Sequence, residues 1–157
     1  MLTVGQKAPI HIEVLDQNEK VVSLKQLLGK PVVLYFYPKD NTPGCTKEAC
    51  EFRDFTTELQ ELGVQVIGVS ADSSKSHLGF MQKYELPFPL WSDSEKKLME
   101  AFGVLGEKSM FGKKYIGILR TTFAINELGE IMHVWEKVSP SGHAQEVFNF
   151  FTNRKAH

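Results

Sequence analysis

Apolar positions along this chain recur at two periods, and the changes between them mark out the elements. Val32-Val33-Leu34-Tyr35-Phe36-Tyr37 is short, continuous and rich in β-branched and aromatic residues, which predicts a buried strand ended by Pro38. Beyond it, Phe52, Phe55, Leu59 and Leu62 recur at spacings of three and four with charges between them, so a helix is predicted from about Pro43 or Cys45 to Leu62, with Gly63 as its stop. The same reading places an early hairpin around Ile10 to Val14 and Val21 to Val22, and a short helix near Leu24 to Leu28. Val64 to Val69 reads as a second buried strand, Ser74 to Tyr84 as a helix, Phe88 to Trp91 as a short strand and Glu95 to Phe102 as a helix. Gly103 to Tyr115 reads as irregular, with Lys113-Lys114 as a solvated basic pair. Thr121 to Ile125 and Ile131 to Trp135 flank the hairpin signal Asn126-Glu127-Leu128-Gly129, and Ala144 to Phe151 suits a closing helix. Strands alternating with helices, then a hairpin and a helix, predict an α/β three-layer sandwich around a mixed sheet.

Composition narrows this picture. The chain has 157 residues, a length suited to one domain over 1–157 with an ordinary hydrophobic core. Its 18 Lys and Arg against 19 Asp and Glu offer no general attraction for nucleic acid or a membrane surface. No 18-residue apolar run and no signal-peptide order is visible, so the cytoplasm is the expected compartment. Two cysteines do not make a disulfide scaffold, and in a reducing compartment a cysteine pair points to catalysis or redox chemistry.

Cys45 follows the predicted strand and opens the long helix. A helix's first turn has unpaired N–H groups and the positive end of the dipole, both of which favour an anion, and only a thiolate is a good nucleophile. The alternative is a structural cysteine, since free cysteine is among the most buried residue types. Cys50 lies five residues on, unlike the spacing of Cys-x-x-Cys exchange motifs or tetrahedral metal sites. In an intact helix that spacing gives a rise of ~7.5 Å, a rotation of ~140° and Cα atoms roughly 8.7 Å apart. A disulfide tolerates only about 7 Å. If these cysteines pair, the helix must unwind locally; otherwise Cys50 is a small residue filling space.

The pattern Pro38-x-x-x-Thr42-x-x-Cys45 resembles the peroxidatic signature of the peroxiredoxins. The continuation Thr42-Pro43-Gly44-Cys45-Thr46-x-Glu48-x-Cys50 is similar to their bacterioferritin comigratory protein, or peroxiredoxin Q, branch. Met1 to Pro9, Val66 to Ser70 followed by Asp72, and Arg120-x-Thr122-Phe123-x-Ile125 extend the likeness over nearly the whole chain. The resemblance implies a thioredoxin fold and a thiol peroxidase for hydrogen peroxide and organic hydroperoxides. Cys45 would attack the peroxide and become a sulfenic acid, and Cys50 would resolve it as an intramolecular disulfide. Thr42 would bond the thiolate and peroxide, Pro38 would shield the site, and the fixed fork of Arg120 would hold the thiolate and the departing oxygen. Taken alone, Pro38 could merely close a strand, Thr42 cap a helix and Arg120 make a surface ion pair. Glu48 stands one turn past Cys45 as a supporting candidate or a simple dipole partner. Gly44 would permit close backbone approach.

The implied reductant is thioredoxin or a glutaredoxin-like protein, the implied state is a monomer, and no metal, flavin or nucleotide is called for. With no third cysteine in the C-terminal half, resolution between subunits is not available. Trp91, where relatives often carry an aliphatic residue, suits core packing better than a pocket wall, and Asn126 replaces a frequent aspartate. A cysteine hydrolase needs a histidine base, and none of His11, His77, His133, His143 and His157 has a context that identifies one. A zinc site would need a better ligand set. The principal rival is a redox sensor that uses the same Cys45 oxidation to engage a partner. Such a sensor stops near one equivalent of peroxide, whereas a peroxidase turns over many.

Overall fold

The computed structural model describes residues 1–156, with side chains described through Arg154; His157 lies outside the described residues. Among the described residues, nine strands and four α-helices follow one another. β1 (Val14–Leu15) and β2 (Val21–Val22) form the early hairpin, and a 3-10 turn covers Leu24–Leu27. Next come β3 (Val32–Phe36), α1 (Pro43–Glu61), β4 (Gln65–Ser70), α2 (Ser74–Tyr84), β5 (Leu90–Ser92) and α3 (Lys97–Phe102). β6 (Leu105–Met110), β7 (Lys113–Ile118), β8 (Thr121–Ile125), β9 (Ile131–Trp135) and α4 (His143–Ala156) complete the order. Seven strands form one mixed sheet in the order β2-β1-β5-β4-β3-β8-β9. β3, β4 and β5 run parallel, and β8 lies antiparallel to β3.

The alternation of β3 divides the core. Val32, Leu34 and Phe36 face a cluster with Trp91 and with Leu98, Met99 and Phe102 of α3. Val33, Tyr35 and Tyr37 face the other layer, where Cys45, Ala49, Phe52 and Leu59 of α1 pack with Phe80 of α2 and Val147 and Phe151 of α4. Trp91 therefore packs on the face opposite Cys45. A strand buried on both faces shows no polar alternation, which is why β3 reads as a continuous apolar run.

Several boundaries differ from expectation for physical reasons. Pro9 cannot donate to a ladder, and Ile10 O accepts instead from Lys25 N, so only Val14–Leu15 pairs in the first hairpin. The helix expected from Glu95 begins at Lys97, because the Asp93 carboxylate accepts from Leu98 N and Met99 N while Lys96 adopts a left-handed φ of 60°. The expected irregular segment, Gly103 to Tyr115, is largely strand: β6 and β7 form a separate antiparallel ribbon that pairs Leu105 with Ile118 and Met110 with Lys113. Phe111 and Gly112 form its two-residue turn with φ of 52° and 79°, the sign both central residues of a type I′ turn require. Lys113 and Lys114 are solvated but lie in β7 rather than in a loop.

Candidate active site

The chain leaves β3 at Phe36, and Asn41 turns it with a φ of 63°, a conformation asparagine tolerates better than most residues. Thr42 stands at the N-cap position and Pro43 opens α1, so Cys45 falls in the first helical turn at the carboxyl end of β3. Its side chain is 1 % exposed. Arg120, immediately before β8, donates from Nη2 to Cys45 Sγ at 3.3 Å and from Nη1 to Glu48 Oε1 at 2.7 Å. One guanidinium fork thus spans two acids that lie a turn apart on α1. Glu48 is also 1 % exposed, and its Oε2 has no hydrogen-bond partner.

The remaining sequence candidates take up different positions. The Thr42 hydroxyl donates to Lys39 O at 2.8 Å and makes no cap bond, so its lone pairs rather than its proton face any incoming group. Pro38 is half-buried beside the loop. A Cβ on Gly44 would meet Arg120 Nη2 and Pro140 Cγ at 3.4 Å, ordinary contact, so glycine is not sterically demanded there. Cys50 is half-buried, and both thiols are free. Since α1 is continuous from Pro43 to Glu61, a bond between the two cysteines requires its first turns to open.

Burial and charge set the proton preferences here. Burial pushes the Glu48 carboxyl up from 4.5 to about 7, against the downward pull of Arg120. Burial alone would lower Arg120, but the charges of Glu48 and Cys45 outweigh it and hold the guanidinium protonated. His143, at the start of α4, is pushed down from 6.5 to about 4 by burial and then by the Arg120 charge. It is neutral at pH 7, with Nε2 2.8 Å from Thr122 Oγ1 and its ring edge-on to Phe52. Among the described residues no histidine bonds Cys45, which removes the geometric basis for a cysteine hydrolase.

A second network, not foreseen from sequence, fixes the loop before the nucleophile. The Asp40 carboxylate accepts from Tyr37 OH at 2.6 Å and Ser76 Oγ at 2.8 Å, and meets His77 Nδ1 at 2.7 Å. The Asp40 N–H donates to Asp72 Oδ2, and His77 Nε2 donates to the Trp91 carbonyl. Asp40, Asp72 and His77 offer ligand atoms within 4.8 Å of one another, the one such group among the described residues, but Asp40 and His77 bond each other and Asp72 Oδ2 accepts from Asp40 N and Ser70 Oγ. Ser76 and His77 lie on α2, so the network ties the Pro38–Thr42 loop to that helix. Nothing local in the sequence marks Asp40 for this role, because Asp72, Ser76 and His77 lie more than thirty residues away.

A buried thiol on a helix N-terminus, gripped by a half-buried arginine fork and backed by a second thiol on the same helix, can attack an electrophilic oxygen and then form a disulfide. Comparison with known proteins agrees. A model of the AhpC/TSA family matches residues 4–134. A Coxiella burnetii protein with the provisional name peroxiredoxin bcp is 56 % identical over 146 residues, 93 % of this chain and 96 % of that protein. Peroxiredoxin Bcp of Bacillus subtilis is 48 % identical over 145 residues, 92 % of each chain. Bacterioferritin comigratory protein of Xanthomonas campestris, seen in trapped intermediate and ligand complexes that bear on its alkyl peroxide reduction activity, superposes with a TM-score of 0.91. That pair is 35 % identical, with 97 % of this chain and 99 % of the other covered.

Proposed function

This chain belongs to the AhpC/TSA family as a peroxiredoxin of the Bcp kind, a thiol peroxidase, and we propose on that footing that Cys45 is its peroxidatic nucleophile and Cys50 its resolving thiol. The observation that carries this assignment is the 3.3 Å contact of Arg120 Nη2 with a buried Sγ in the first turn of α1. The thiolate attacks the terminal oxygen of a hydroperoxide, the S–O bond forms as O–O breaks, and the alcohol or water leaves. Arg120 faces the sulfur with a fixed cationic fork and stabilises charge on the departing oxygen where water is excluded. Thr42 offers its oxygen lone pairs to the peroxide hydrogen, and half-buried Pro38 limits access of water to the sulfur. The sulfenic acid then condenses with the Cys50 thiol, releasing water and forming the intramolecular disulfide.

We assign hydrogen peroxide and organic hydroperoxides as substrates, supported by the alkyl peroxide reduction ascribed to the Xanthomonas relative. A thiol reductant closes the cycle; thioredoxin, or a glutaredoxin-like protein, fits the reduction of an intramolecular disulfide of this kind. One domain over 1–157, a monomer and a cytoplasmic location complete the reading. It is supported by one central sheet threading the described residues and by no described helix long and apolar enough to cross a membrane. The test is intact mass and disulfide mapping of the reduced protein seconds after one equivalent of hydrogen peroxide. Loss of two hydrogens with a Cys45 to Cys50 crosslink is expected, and an unchanged mass overturns the assignment.

A further inference from the structure

One cation serves two acids in this site, and that count constrains where the proton goes. Cys45 and Glu48 are each 1 % exposed, and Arg120 touches both, at 3.3 Å and 2.7 Å. If both acids were ionised the pocket would hold one uncompensated buried anion, which is costly. Neutrality therefore requires one proton shared between Sγ and the Glu48 carboxyl. Glu48 has an atom for it: Oε1 is held by Arg120, while Oε2 is buried and unpartnered. The other titratable groups around it do not supply a better proton. Glu51 on the same helix raises the Glu48 carboxyl further, Tyr35 of β3 is itself held protonated, and His143 of α4 is neutral beside Arg120, while Lys108 of β6 faces Cys45 and Arg120 without an ion pair to either acid and is pushed down by burial and then by the Arg120 charge.

We propose that Glu48 takes the thiol proton of Cys45 and delivers it to the leaving oxygen during peroxide attack. This rests on the peroxidase reading above and deepens it. The residues stand three apart on α1, so their side chains are neighbours about 5–6 Å apart at Cβ, within direct or single-water reach of a group bound at Sγ. In the ready site the thiolate, the guanidinium and the neutral carboxyl sum to zero. As S–O forms and O–O breaks, sulfur loses two electrons to the peroxide and the terminal OH moves to sulfur. The alkoxide departs with the carboxyl proton. Afterwards the sulfenic acid is neutral and Glu48 is a carboxylate paired with Arg120, so the charge is again zero and no solvent proton is consumed. On reduction of the disulfide, the regenerated Cys45 thiol passes its proton back to Glu48.

Leaving-group chemistry tests this directly. Cumene hydroperoxide expels an alkoxide that must be protonated, whereas peracetic acid expels acetate, which need not be. Single-turnover oxidation of Glu48→Gln, which keeps the shape and the neutral state but has no acidic proton, should slow about 100-fold with cumene hydroperoxide and less than about 5-fold with peracetic acid. Equal slowing with both oxidants, or none with either, overturns the proposal. An indicator dye in weakly buffered solution gives a second readout on the unaltered protein: attack should take up well under one proton per Cys45, and uptake of a full proton overturns it. Failure of the unaltered protein to consume either oxidant would instead bring down the peroxidase reading on which it stands.

Discussion

Two buried groups with opposite proton preferences flank Arg120, and replacing either one should expose a slope in stability against pH that the intact protein conceals. Glu48 is raised from 4.5 to about 7 in the fold. Its contribution is fully present below pH 4.5 and is lost as pH rises through about 7, because ionisation is disfavoured in the folded state. His143 is lowered from 6.5 to about 4, so its contribution is present above 6.5 and lost as pH falls through about 4. At about 1.4 kcal/mol per pH unit, each contribution amounts to about 3 kcal/mol, with opposite signs over nearly the same window. In the unaltered protein they largely offset. Relative to it, Glu48→Gln should gain about 3 kcal/mol of stability between about pH 4 and pH 8, and His143→Gln should lose about as much. Urea unfolding of the reduced proteins across that range measures both. Titration of other carboxyls, such as Asp93 and Glu127, is common to all three proteins and cancels in the differences. Two variants that slope the same way, or a Glu48→Gln curve parallel to the parent within about 0.5 kcal/mol, would refute the account of burial and charge around Arg120.

The other predictions concern the thiols and their supports. Cys50→Ser should keep the rate of peroxide attack within about threefold and accumulate a sulfenic acid that dimedone traps; a fall of tenfold or more would place Cys50 in the first step. Arg120→Lys should slow attack roughly 10- to 100-fold despite keeping the charge, since a single ammonium cannot hold Sγ and Oε1 in the same fork, and an unchanged rate removes the guanidinium from the chemistry. Asp40→Asn should cost about 2–3 kcal/mol in urea unfolding, because an amide cannot accept from Tyr37, Ser76 and His77 as the carboxylate does; a loss below about 0.5 kcal/mol would show the network to be idle.

Elements with a strong internal period were legible from the residues. β3, α1 and α2 fell close to their observed ends because the apolar run and the three-and-four spacing of Phe52, Phe55, Leu59 and Leu62 are direct records of which face is buried. The β6–β7 ribbon was not legible, since it pairs mainly with itself and leaves both faces partly wet. Met110, Phe111 and Ile116 stand exposed there without marking a core. In the site, Cys45 was legible from its place at the start of α1 and from the family resemblance, and Arg120 from that resemblance alone; the structure brings them into contact. Thr42 was expected to bond the thiolate, and instead its hydroxyl proton goes to Lys39 O. Glu48 was underrated because nothing local distinguishes a first-turn acid at the surface from one buried against a cation seventy-two residues away. Asp40 and His77 escaped for the same reason: a long-range buried pair has no period.

The arrangement of anchors around α1 explains how an oxidised sulfur could reach Cys50 without disturbing the whole fold. Upstream, Asp40 clamps the loop to α2 through Tyr37, Ser76 and His77. Downstream, Phe52 is fully buried, stacked on Tyr35 at 4.8 Å and edge-on to His143, which fixes the helix from its third turn onward. Between these anchors the first two turns are held on their inner face largely by Cys45, Glu48 and Ala49, and two of those three act through Arg120. Peroxide attack removes the charge on sulfur. A charge-assisted contact, worth about 1.5–3 kcal/mol, then becomes an ordinary one of about 1 kcal/mol. The chemical step thus loosens the Cys45 end of the segment while the Glu48 carboxylate keeps its hold on Arg120, and the neighbouring anchors confine the opening that lets Cys50 approach to the residues between them. Amide exchange should therefore accelerate on oxidation between Pro43 and Glu51 while the protection of Tyr37, Phe52 and their flanks stays unchanged, and uniform acceleration along α1 would contradict this division of the helix.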